Sequence, residues 1–348
     1  MIRLSLISTC ILIFFYVIWR FFVIFGHDSK LIPIIIAVIL SWYVVVTFMY
    51  SWNNKILDIL STTSSRIFVL MFILLVFLWI FHAISYVRHP INPWIILWVI
   101  ILILWFGVYC SLHTKITNLN IQSDKIQKDT KILLVSDIHV ENITQDYHVK
   151  DILKAIETEK PDFVIIAWDL MNKPNDSYLK YLSLFKSVKN TPIFAVMWNH
   201  DVIWDVNIVQ KIPEVSGIKF LNYEITEINW IQLVWLIDKS LWWNYSIKDI
   251  TDNLKVKDDS KFSILVTHQP IGLEKLENYP IDLEVAWHTH YWQFYWIMEL
   301  SRIANDYLYW EYKFWDKIAF VTQWIWTWWL PFRLWTQSEM VIINLTKK

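Results

Sequence analysis

The chain changes character near residue 113. Before that point apolar residues run almost unbroken: Leu31–Trp52, Ile67–Tyr86 and Ile91–Leu112 contain no Asp, Glu, Lys or Arg. Leu4–Phe25 is a fourth such stretch, interrupted only by Arg20. Each extends over about 20 residues, the length an α-helix needs to cross the hydrocarbon core of a bilayer. Helices of a soluble bundle, the alternative reading, would carry polar faces toward water, which these stretches lack. A cleaved signal peptide accounts for the first stretch but not for the three that follow it. The pattern predicts an all-α, four-helix transmembrane bundle over residues 1–113.

Beyond it, Thr114–Thr130 is polar and reads as a linker. Residues 131–348 then alternate between two periods. Short apolar runs at Lys131–Asp137, Phe163–Ala167 and Ile193–Met197 predict strands, and the helical patterns of Asp151–Glu159 and Ser177–Lys189 fall between them. Such alternation implies βαβ units and a largely parallel sheet. Further strand-like runs, Ile231–Ile237, Phe262–Thr267, Leu283–Ala286 and Ile318–Thr322, have fewer helices between them. The expected fold is α/β, with two mixed β-sheets sandwiched together and flanked by helices.

Charge narrows the function. A net charge of −1 and the absence of a basic stripe argue against a general nucleic-acid binder. Four spans place the N-terminus and the second domain on one side of the membrane. Arg3, Lys55, Arg66 and Lys115 lie near that side, against Arg20, Lys30 and Arg88 opposite, a small excess that favours a cytoplasmic catalytic domain at the inner or plasma membrane. Cys10 and Cys110 both fall within predicted spans and offer no disulfide framework or thiolate metal site.

The strand ends carry the chemistry. The first strand runs into Asp137-Ile-His139, the second into Asp169, and the third into Asn199-His200-Asp201. Later strands run into His268 and into His288-Thr-His290. Open α/β sheets place their sites at the carboxyl ends of strands. One such residue would be a cap or a surface side chain; five strand ends bearing Asp, Asn and His together point to a metal centre. Carboxylate, amide and imidazole without thiolate suit Mn, Fe, Zn or Co. The donors outnumber what one ion needs. Two divalent ions about 3.5–4 Å apart, with a carboxylate between them, can clamp a phosphoryl group and generate a hydroxide nucleophile at neutral pH.

The ordered set Asp-x-His, Asp, Asn-His-Asp, His and His-x-His resembles that of the calcineurin-like metallophosphoesterases, over about residues 130–345. The bacterial membrane-anchored branch of that family is the nearest likeness. Its Gly-Gly-Gln-like segment after His-x-His compares with Tyr291-Trp-Gln293, and its tail with Trp324-Ile-Trp-Thr-Trp-Trp-Leu-Pro-Phe-Arg333. The resemblance implies that Asp137, His139 and His290 hold one metal, Asn199, His268 and His288 the other, and that Asp169 bridges them. It implies His200 as the acid that protonates the leaving oxygen or as a group that stabilises the phosphoryl charge, with Asp201 orienting its imidazole. Arg333 is open between a phosphate contact and a structural salt bridge.

The departure from the family is systematic. The chain has 24 tryptophans and 4 glycines, where a glycine share of about 7% would give roughly two dozen glycines. Trp168, Trp198 and Trp287 stand immediately before ligand motifs where the family has glycine, and the tail adds Trp324, Trp326 and Trp328. Glycine belongs at such turns because the backbone approaches the ligands closely or takes positive φ. The placement predicts a source that reads UGA as glycine, its gene having been translated with UGA as tryptophan. Not every tryptophan need be false: Trp19, Trp52 and Trp94 lie near predicted membrane boundaries, where indoles are favoured.

The expected activity is that of a membrane-anchored, dinuclear-metal phosphoesterase acting on phosphomonoester, phosphodiester or pyrophosphate bonds, with a lipid-linked substrate among the candidates. The alternative is a catalytically inactive metal-binding membrane sensor or scaffold.

Overall fold

The computed structural model describes residues 2–27, 30–50, 55–87, 91–140, 146–167, 170–171, 176–196, 206–221, 225–235, 259–267, 270–277, 279–286, 306–327 and 332–348. They divide into two compact units, Met1–Tyr109 with Thr327–Phe332, and Cys110–Trp326 with Arg333–Lys348.

The apolar stretches form α1 (Ile2–Ile24), α2 (Leu31–Tyr50), α3 (Lys55–Val87) and α4 (Pro93–Leu112). Within the first unit Phe14, Ala37 and Val44 make one buried cluster, and Val17, Leu78, Ile96 and Ile100 another. Large apolar side chains also face outward: Trp42, Trp79, Trp98 and Trp105 are each more than 60% exposed. By length and composition α4 is able to cross a membrane. Among the described residues Ile11–Ile24, Leu31–Val44 and Leu70–Ile84 form further apolar helical stretches. The four expected helices are present. In α3 the charged residues Lys55, Asp58 and Arg66 precede the apolar stretch that begins at Ile67.

The second unit opens with β1 (Lys115–Ser123), where a linker was expected. Thr117, Leu119 and Ile121 are buried while Asn118, Asn120 and Gln122 are exposed. That period of two marks a half-buried strand, and its polar alternate residues made it read as a linker. β1 pairs in parallel with the last strand, β12 (Glu339–Lys347). Between them, in chain order, come β2 (Thr130–Ser136), α5 (Tyr147–Glu159), β3 (Phe163–Ala167), α6 (Asp176–Leu182), β4 (Ile193–Val196), α7 (Val206–Ser216), β5 (Lys219–Leu221), β6 (Thr226–Ile228), β7 (Ile231–Trp235), β8 (Phe262–Val266), β9 (Leu283–Ala286), β10 (Trp310–Phe314) and β11 (Lys317–Val321).

Two six-stranded sheets result, ordered β1-β12-β2-β3-β4-β5 and β10-β11-β9-β8-β7-β6. In the first only the β12–β2 pair is antiparallel; in the second β7, β8, β9 and β11 run parallel and the hairpins β6–β7 and β10–β11 close the edges. The sheets face each other across one core in which Ile132, Leu134, Phe163 and Ile165 meet Leu233, Ile264, Leu283 and Val285. The outer face of the first sheet is covered by α5, α6, the 3-10 turn Ser183–Ser187 and α7 through Val149, Ile152, Leu182, Phe185 and Ile212. Central strands β2, β3, β8 and β9 are buried on both faces, which is why they read as continuous apolar runs. Mixed α/β sheets of the expected kind are therefore present.

Candidate metal centre

Parallel pairing sets the strand ends side by side. Ser136 at the end of β2 is in register with Ala167 at the end of β3, and Val266 of β8 with Val285 of β9. The chain leaves β2 through Asp137, whose N–H donates to Ala167 O at 3.3 Å, and Val140 N–H donates to Leu170 O at 2.9 Å. These two bonds lie on either side of Asp169 along the sequence. A third element joins them: Ile325 N–H donates to Ser136 O at 3.2 Å, bringing the Trp324–Trp326 segment to the end of β2.

Asp137 and His139 are the two predicted ligands within the described residues. His139 Nε2 lies 3.7 Å from Asp137 Oδ1, and both side chains are largely buried. Two metal–donor bonds of about 2.0–2.2 Å reach across such a gap, so this carboxylate–imidazole pair suits a shared divalent ion. Both residues take positive φ, 53° for Asp137 and 43° for His139, the kind of backbone strain that clusters at functional sites. The other predicted site residues, Asp169, Asn199, His200, Asp201, His268, His288 and His290, lie outside the described residues. Among the described residues no three His, Cys, Asp or Glu side chains converge.

Two buried polar residues, Arg333 and His148, lie near this pair, and the second carried no signal in the sequence. Arg333 is fully buried, and its Nη2 donates to Trp324 O and Trp326 O, both at 2.7 Å. These bonds give Arg333 a structural role in holding the loop beside β2. Burial draws its pKa down to about 10, opposed by the carboxylates of Glu339 and Asp137. His148, at the start of α5, is buried, and its Nδ1 has no hydrogen-bond partner among the described residues. Burial first, then the Arg333 cation and His139, push its imidazole down to about 3. Histidine at one position on an amphipathic helix carries no signal of this in sequence.

Two carboxylates anchor the strand ends. Glu339 Oε1 accepts from Thr117 Oγ1 at 2.6 Å and Tyr309 Oη at 2.9 Å, and its Oε2 from Thr322 Oγ1 at 3.2 Å and Gln323 N–H at 3.0 Å. It thereby ties β1, β12 and the segment after β11 together. Glu284, wholly buried in β9, accepts at Oε1 from Thr267 Oγ1 at 3.1 Å and Ile271 N–H at 2.7 Å. Those donors bracket His268 in the sequence. Burial raises the Glu284 carboxyl to about 7 against the pull of these donors.

Residues 130–292 match the family model of the calcineurin-like phosphoesterases. That match supports a metallophosphoesterase domain. Curated relatives agree: an uncharacterized metallophosphoesterase of Helicobacter pylori is 28% identical over 249 residues, covering 70% of this chain and 67% of its own length. A Campylobacter jejuni protein of the same description is 25% identical over 261 residues, covering 70% and 67%. One from Aquifex aeolicus is 29% identical over 194 residues, covering 53% and 74%. The family points to phosphoester hydrolysis with divalent metal ions.

Proposed function

We propose that the protein is a membrane-anchored phosphoesterase whose second unit holds two divalent metals, Mn, Fe, Zn or Co. The observation that carries this reading is the buried Asp137–His139 pair at the end of β2, held at 3.7 Å with both residues at positive φ, within the segment matched by the phosphoesterase family. Asp137, His139 and His290 are assigned to one metal, Asn199, His268 and His288 to the other, and Asp169 to both. Bound metals would supply Lewis-acid charge to the phosphoryl oxygens and an activated water nucleophile. His200 donates the proton to the leaving oxygen, and Asp201 holds its imidazole in the required orientation. Glu284 and Arg333 position the loops that bear or flank these groups.

The apolar helices support a membrane anchor, since α4 is able to span a bilayer and the outward indoles of Trp42, Trp79 and Trp98 suit an apolar surround. A substrate at the bilayer, such as a lipid-linked phosphoester, follows from that placement. Trp168, Trp198 and Trp287 are read as glycines, encoded by UGA in a source that assigns the codon so; UGG at all three positions in the gene would refute this.

The test is hydrolysis of a chromogenic phosphodiester by the full chain made with glycine at 168, 198, 287, 324 and 326. Turnover that requires added Mn and is lost in His200→Ala is expected. Metal binding without turnover under any of Mn, Fe, Zn or Co would favour the inactive sensor or scaffold instead.

A further inference from the structure

Four tryptophans outside the ligand motifs occupy backbone that suits glycine. Among the described residues eight non-glycine positions have positive φ, and four of them are Trp230 (74°), Trp310 (82°), Trp315 (60°) and Trp335 (62°). Tryptophan makes up 24 of 348 residues, so composition alone does not account for half of this set. For a bulky L-residue such φ is a genuine outlier. Three of the four glycines, Gly26, Gly217 and Gly272, share the same region at 83°, 76° and 97°.

Turn geometry makes the case position by position. Ile228 pairs with Ile231 across the β6–β7 hairpin, leaving Asn229-Trp230 as a two-residue loop. Both loop residues have positive φ, 48° and 74°, as a type I′ turn requires, and Asn-Gly is the preferred pair there. Phe314 pairs with Lys317 across the β10–β11 hairpin, leaving Trp315-Asp316. Here the first loop residue has positive φ and the second does not, the type II′ pattern with glycine first. The four tryptophan side chains face outward, although the Trp310 ring lies 5.8 Å from that of Phe320 and Lys115 Nζ lies 5.8 Å from its centroid. Trp315 is 82% exposed, and Trp230, Trp310 and Trp335 are exposed as well.

Trp326 shows the converse fault. It is buried, yet its indole N–H has no hydrogen-bond partner among the described residues, whereas a buried Trp N–H ordinarily finds one.

We infer that positions 230, 310, 315 and 335 are glycine in the protein as its source makes it, as well as the motif positions. This shares the codon reading of the proposed function but stands on backbone geometry, at sites that no ligand motif touches. The experiment therefore reads sequence and stability, not activity. Peptide mass spectrometry of the protein isolated from its source is expected to find glycine at 230 and 315. In parallel, the full chain in detergent carrying Trp230→Gly, Trp310→Gly, Trp315→Gly and Trp335→Gly is expected to melt several degrees above the literal sequence. Trp42→Gly, within α2, is expected to lower the melting point and serves as the control. Tryptophan at 230 and 315 in the native peptides overturns the inference, as does a fourfold variant that melts lower. Either failure leaves the phosphoesterase reading intact, and loss of activity with glycine confirmed leaves this inference intact.

Discussion

The indole of Trp326 stacks on the imidazole of His139, ring centroids 4.1 Å apart and planes 28° from parallel. The ring lies against a predicted metal ligand, and Arg333 holds its backbone there through Trp326 O. A glycine at 326 would keep the backbone contact and free that face of the imidazole.

Trp326→Gly is therefore expected to strengthen Mn binding. A gain of about tenfold in affinity corresponds to roughly 1.4 kcal/mol. Titration calorimetry of the full chain before and after the change checks it; unchanged affinity would show that the ring does not compete with the metal.

His200→Ala should lower turnover by about 10²–10⁴, the usual contribution of a positioned acid or base. Metal content measured by atomic emission should stay the same, since the proposed role of His200 is proton transfer. Loss of metal along with turnover would reassign it as a ligand.

Glu284 gives a stability signature. Its folded-state pKa is raised from 4.5 to about 7 by burial, so the folded state keeps a proton that the unfolded chain has released. The stabilisation this brings is complete below about pH 4.5 and is lost as pH rises toward 7, by on the order of 3 kcal/mol. Glu284→Gln keeps an Oε1 acceptor for Thr267 and Ile271 and cannot ionise. Thermal melts between pH 5 and 8 should show a decline in the parent protein that this variant lacks; parallel curves for the two would rule the assignment out.

Arg333→Ala should destabilise the second unit by about 3–5 kcal/mol, the range for breaking a buried charge network. It removes both bonds to the 324–326 loop and the cation facing Glu339 and Asp137. Urea denaturation monitors the loss. A variant as stable as the parent would mean the loop is held by other contacts.

The elements legible in sequence were those buried on both faces. β3 and β9 begin and end where their apolar runs do, and β2, β4, β7, β8 and β11 come within two residues, because an uninterrupted apolar run needs no partner to declare itself. Of the strands missed, β1, β5, β6 and β10 are the outermost strands of the two sheets, whereas β12 is an interior strand whose apolar run Met340–Ile343 went unread. Of these β1 shows its alternation plainly once its pairing with β12 is known. Helical periodicity over Ser177–Lys189 became α6 followed by a 3-10 turn at Ser183–Ser187. Asp137 and His139 were visible because a charged residue at the end of an apolar strand is conspicuous. Arg333 was noted in sequence without its role being decided, and His148, Glu284 and Glu339 were not noted, since what marks them is burial.

The sequence by itself determined the division into an apolar helical half and an α/β half, the order of the candidate ligand motifs and the anomaly of the tryptophans. Each of these is a local property, carried by residue type and spacing. Only the tertiary structure decided that β1 and β12 from opposite ends of the second unit share a sheet, that Arg333 clamps Trp324 and Trp326 beside Asp137, and which tryptophans sit on left-handed backbone. Such facts depend on which distant segments meet, and the free energy of burying and pairing them belongs to the contact, not to either segment alone.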